Sequence, residues 1–129
     1  MKYNKELKLV LFSLVAVVIV CPIIYRFLPN WEGLVGDVGE SGAWIVTIIY
    51  HTVYGLFVGA GTLASSLVLK KINRTNSLPL AVVAAILSAV FLDVLFIYIK
   101  ANTIGFAGAV AILLAMSFTL NFVLSRKAV

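Results

Sequence analysis

LPLAVVAAILSAVFLDVLFIYIK, residues 78–100, decides the fold of this chain. Before Lys100 the run carries one charged side chain, Asp93. At about 1.5 Å of rise per residue, a helix this long crosses roughly 30 Å of hydrocarbon. Ser77 stands where an N-cap is wanted, and Pro79 falls in the first turn, where its missing N–H does no harm.

Three further runs of the same kind follow when the reading is carried outward. They cover residues 7–28, ended by Pro29, residues 43–69 and residues 104–124; the decisive run itself spans residues 78–99. The run over 43–69 exceeds what a bilayer needs, which predicts a tilt or an extension past the interface. Residues 29–42 form an outer loop and residues 70–77 a short inner one. The expectation is an all-α polytopic membrane protein, four transmembrane helices in a compact bundle, as one membrane domain over residues 1–129.

Composition points the same way. Of 129 residues, 63% are hydrophobic and 12% charged, with a mean hydropathy of +1.13. An ordinary soluble domain is about half apolar and about one quarter charged. A chain this short has too little interior to hide so much apolar surface from water. A soluble enzyme, a nucleic-acid binder and a disordered tail are all excluded on this ground. The expected partner is the lipid bilayer.

The ten Lys and Arg residues outnumber the five Asp and Glu, and their placement predicts orientation. Lys2, Lys5, Lys8, Lys70, Lys71, Arg74, Arg126 and Lys127 fall on the two termini and the inner loop. Arg26 and Lys100 fall on the opposite side, together with Glu32, Asp37 and Glu40. Short loops rich in Lys and Arg stay in the cytoplasm. Both termini are therefore expected to be cytoplasmic, in an inner (plasma) membrane of bacterial type.

With Lys2, Lys5 and Lys8 ahead of it, the N-terminal run resembles a signal peptide in outline. Val20 precedes Cys21 where a lipoprotein site wants a small residue, and no small-x-small cleavage site is evident. It is read as an uncleaved helix. Cys21 is the sole cysteine, so no internal disulfide forms, and with one histidine the usual zinc patterns are absent. Asn73-Arg74-Thr75 matches a glycosylation pattern, here a chance match in a short basic loop. In the outer loop Gly33, Gly36, Gly39 and Gly42 recur every third residue between acidic side chains, bracketed by Trp31 and Trp44 as interface anchors. Such a loop is either a flexible connector or an acidic rim that gathers cations or docks a partner.

Asp93 is the residue most suggestive of chemistry. It lies about 10 Å by helical rise from the outer end at Lys100, and a mid-membrane carboxylate costs about 2.5–3.5 kcal/mol on insertion scales. Such a residue faces a partner or a watery cavity, as a functional group or as a structural hydrogen bond between helices. His51 is its natural partner, since the helix that begins near Ala43 carries it about 12 Å down from the same side. Tyr50, Tyr54 and Tyr98 fall near that depth with Thr47 and Thr52, and Arg26 lies nearer the outer surface. The candidate polar cluster is therefore His51, Asp93, Tyr50, Tyr54, Tyr98 and Arg26. Cys21 completes the residue types of a nucleophile, base and orienter, yet a lone buried cysteine behaves as a small hydrophobe. The chain is read as non-enzymatic.

Close helix packing is expected at Gly55 and Gly59, a G-x-x-x-G step, and along Ala107, Ala111 and Ala115; Ala81, Ala85 and Ala89 mark a similar face. No P-loop, dinucleotide fingerprint or H-E-x-x-H occurs. No catalytic residue, cofactor or metal is assigned. Three functions remain: a transporter or channel subunit for a small solute or ion, working as a homo-oligomer; a non-catalytic accessory or immunity-type protein that binds another membrane protein; and a membrane enzyme on a lipid-like substrate.

Overall fold

A computed structural model describes residues 4–27, 39–99 and 101–127. The chain is helical, with α1 at Asn4–Arg26, α2 at Gly39–Lys71, α3 at Leu78–Tyr98 and α4 at Ala101–Val123. Each contains a stretch long and apolar enough to cross a membrane: Glu6–Arg26, Trp44–Lys71, Leu78–Phe96 and Thr103–Val123.

The ends follow local chemistry. Ser77 caps α3 in extended conformation, its hydroxyl accepting from the Leu80 N–H at 3.4 Å, with Pro79 in the first turn. The Ile99 N–H closes the other end on the Leu95 carbonyl at 2.7 Å. In α4 the helix is broken at Gly105, whose φ of 74° and ψ of 170° suit only glycine. Beyond that break the helix runs on to Val123.

Two features differ from the sequence expectation. Helix α2 begins at Gly39, not near Ala43, so part of the expected outer loop over residues 29–42 is its first turn. Glycine spacing suggested a loop, but extending a helix already nucleated costs little, and propensity is a weak guide. Gly33, Gly36, Trp31, Glu32 and Asp37 lie outside the described residues. The inner loop over residues 70–77 is also more ordered than a connector. Asn73 adopts a left-handed φ of 58°, turning the chain into β1, Arg74–Thr75, which pairs antiparallel with β2, Arg126–Lys127.

Helices α1 and α4 each pack against both α2 and α3, so α2 and α3 face each other across the diagonal of the bundle. The core is built from Val17, Cys21, Tyr54, Val58, Ala85, Ala89, Leu92 and Leu113. Along α1 the buried series Leu9, Ser13, Val17, Cys21 and Tyr25 repeats every fourth residue, one face of a helix. The partition of polarity is inverted relative to a water-soluble fold. Leu11, Ile19, Ile49, Leu56 and Leu87 are exposed, while Ser13, Thr47, His51, Thr62, Ser88, Asp93 and Asn121 are buried.

Candidate functional site

Helix α2 presents Thr47, His51, Tyr54 and Val58 on its inner face, and α3 presents Ala85, Ala89, Leu92 and Asp93. Where these faces meet, His51 Nε2 lies 2.6 Å from Asp93 Oδ2, both side chains being 0% exposed. The opposite ring nitrogen, Nδ1, lies 2.8 Å from the Thr47 carbonyl one turn earlier on the same helix.

These two contacts fix the proton count. A carbonyl oxygen only accepts, so Nδ1 carries a hydrogen and donates it to Thr47. With Nδ1 protonated, the Nε2–Oδ2 contact needs one more proton, on the ring or on the carboxyl. The pair has no net charge in either arrangement. It is thus a one-proton unit that sits in an apolar bundle without presenting a bare ion.

Aromatic rings enclose it. Tyr54 lies 5.0 Å from the His51 ring, centroid to centroid, and Tyr25 of α1 lies 5.7 Å away on a tilted plane. Phe96 packs on Tyr54 at 6.5 Å. The Tyr54 hydroxyl neighbours the Asp93 carboxyl. Neither that hydroxyl nor Asp93 Oδ1 reaches a partner in hydrogen-bond geometry. Cys21 is buried beside the pair, its Sγ 4.0 Å from the Ile86 carbonyl.

Among the residues expected to cluster, the structure brings His51, Asp93 and Tyr54 together. Tyr50 is 38% exposed and Tyr98 75% exposed, so neither lines the pair. Arg26 stacks over the Trp44 ring at 4.8 Å. Tyr98, in the last turn of α3, faces outward from the bundle. Sequence reasoning missed Tyr25. The signal was the four-residue repeat from Ser13 through Cys21, which continues onto Tyr25.

A second polar cluster fills the other half of the bundle. Asn76 Nδ2 donates to Asn121 Oδ1 at 2.6 Å, and Asn121 Nδ2 donates to the Ser117 carbonyl at 2.7 Å. Thr62 Oγ1 lies 3.4 Å from the same Asn121 nitrogen. Arg74 donates from Nε and Nη2 to the Ser125 hydroxyl and carbonyl, each at 2.9 Å. Lys70 lies 3.8 Å from Glu6.

Gly55 and Gly59 face α1: a Cβ on Gly55 would stand 3.3 Å from the Leu14 carbonyl oxygen, and one on Gly59 3.3 Å from a Val10 methyl. Ala107, Ala111 and Ala115 are exposed, so that face of α4 does not pack within the chain. The buried face of α4 carries Leu113, Ser117 and Asn121 instead. Ala81, Ala85 and Ala89, of identical spacing, are fully buried. Among the described residues no three His, Cys, Asp or Glu side chains gather as a metal site.

No known protein family matches the chain, and no curated protein or solved structure is similar to it.

Proposed function

We propose that this is a small multi-pass protein of the inner (plasma) membrane that acts as a transporter or channel subunit for a small solute or ion, with the His51–Asp93 pair as its proton-bearing element. The observation that carries the reading is the fully buried one-proton unit, 2.6 Å long, with the Tyr54 hydroxyl beside the Asp93 carboxyl. An ionisable group inside a membrane-spanning segment is by default a candidate for an ion or proton path.

Orientation rests on charge. Lys70, Lys71, Arg74, Arg126 and Lys127 gather at one end, which supports cytoplasmic termini. The exposed apolar faces support insertion into lipid. Val17, Val58, Leu92 and Leu113 fill the bundle centre with side chains instead of a lumen. A path therefore needs a second copy, for which the exposed face at Ala107 and Ala111 is suited.

The test is flux in sealed vesicles. The full chain is reconstituted and proton movement is followed with an internal pH-sensitive dye. Flux that disappears in both Asp93→Asn and His51→Gln supports the reading, and flux unchanged in both overturns it. The same free face also suits a non-catalytic accessory or immunity-type role, binding another membrane protein. Mass measurement of the complex in a native nanodisc separates the two: identical chains favour the transporter, a fixed complex with a different chain favours the accessory role.

A further inference from the structure

The half of the bundle away from His51 carries two features that transport does not use. The first is a groove of about 470 Å³ between α2 and α4, lined by Gly61, Ala64, Leu114, Ala115, Phe118 and Thr119. Gly61 lets the two helices close beneath it: a Cβ there would collide with the Ser117 hydroxyl and stand 3.1 Å from the Leu114 carbonyl oxygen. Apart from Thr119, the lining side chains are apolar.

The second feature is a band of cations just beyond the groove. Gly61, Ala64, Val68 and Lys71 fall on one face of α2 by helical spacing, which puts Lys71 about 10 Å past Ala64 on the groove side. Helix α4 ends at Val123 and leads directly into Arg126 and Lys127. The strand register sets Arg74 opposite Lys127 and Thr75 opposite Arg126. Like charges directly opposite in an antiparallel pair repel, yet here they are held together, with Arg74 tethered to Ser125. Among the described residues the carboxylate at this end is Glu6, which lies against Lys70.

We infer that the groove and the band form one binding site for an anionic phospholipid, with an acyl chain between α2 and α4 and the phosphate on Lys71 and Arg126. An apolar slot that ends in cations is complementary to an amphipathic anion whose phosphate lies just outside the hydrocarbon. The headgroup supplies the negative charge that the clasp of β1 and β2 lacks. This inference rests on the chain spanning a bilayer and is independent of transport.

Thermal unfolding of the full chain in mild detergent, with added phosphatidylglycerol, phosphatidylcholine or inorganic phosphate, tests the site. Phosphatidylglycerol is expected to raise Tm, and the other two to leave it unchanged. The apparent affinity for phosphatidylglycerol is expected to fall roughly fivefold in Lys71→Gln and again in Arg126→Gln, the effect of one basic residue at an anionic surface. Ala115→Phe, which fills the groove and removes no cation, is expected to weaken it as well. All three positions are exposed, so folding without lipid is expected to persist. An equal shift with phosphatidylcholine or with inorganic phosphate overturns the inference, and so does an affinity unchanged by Lys71→Gln or by Ala115→Phe. Recovery of the chain in the soluble fraction of cells would instead overturn the membrane reading itself.

Discussion

His51 on α2 and Asp93 on α3 meet across the diagonal of the bundle, 2.6 Å apart, joining two helices whose other neighbours are α1 and α4. The contact therefore acts as a strut as well as a proton holder. These two roles respond differently to substitution, because a hydrogen bond can be kept while the titratable proton is removed.

Asp93→Asn is expected to retain the strut. An amide N–H can donate to Nε2 while Nδ1 continues to donate to Thr47. Stability in a denaturing-detergent titration should fall by no more than about 1 kcal/mol. Asp93→Ala leaves Nε2 buried without a partner and should cost about 1–3 kcal/mol. A loss as large in Asp93→Asn as in Asp93→Ala would mean that the pair is an ion pair whose charge, not its hydrogen bond, holds α2 to α3.

Close approach at the glycines gives a ranked series. Gly61→Ala meets the Ser117 hydroxyl and the Leu114 backbone, and Ser117 already donates to the Leu113 carbonyl at 2.7 Å. It should cost about 1–3 kcal/mol through overpacking. Gly55→Ala presses on the Leu14 carbonyl, a backbone atom that cannot rotate away, and should cost less than that. Gly59→Ala meets a Val10 methyl, and the roughly 0.5–1 kcal/mol that alanine gains over glycine in a helix offsets the contact. Tm values of the three variants should rise in the order Gly61→Ala, Gly55→Ala, Gly59→Ala.

How much of this could be read in advance depends on where the information lies. Asp93 and His51 are legible because each interrupts an apolar run at a measurable depth, and depth along a helix follows from counting residues. Tyr25 is not, since an aromatic near a helix end reads as an outward-facing anchor, and Tyr98 does face outward. The alanine series show the limit most clearly: Ala81, Ala85, Ala89 and Ala107, Ala111, Ala115 have the same spacing, yet one is buried and the other exposed. Spacing defines a face without naming its neighbour. The pairing of Arg74 with Lys127 is invisible for the same reason, because it joins segments that only the closed bundle brings together.

Cys21 reports whether water reaches the pair. Its side chain is 0% exposed. In the intact protein it should react with maleimide far more slowly than in the denatured chain, by about the fraction of time the bundle is open. Labelling as fast as in the denatured chain would place an aqueous path beside His51 in the resting state. Labelling that accelerates only under an imposed pH gradient would place that path in the working state.

Asn76 and Asn121 form the polar strut of the opposite half, and its strength is measurable by itself. The 2.6 Å bond ties the segment before α3 to the end of α4, close to the clasp of β1 and β2. Both side chains are buried, so removing Asn121 strands the Asn76 Nδ2 donor and removing Asn76 strands the Asn121 Oδ1 acceptor. Each single change to alanine should cost about 1–3 kcal/mol. The double change should cost less than the sum of the two, since neither amide is then left alone. The expected coupling is about 0.6 kcal/mol, the average for hydrogen bonds between membrane helices, and at most about 1.7 kcal/mol. A double-mutant cycle in denaturing detergent gives this number directly. Additive losses would mean that Asn121 is held by Ser117 alone and that the segment before α3 is not fastened to α4.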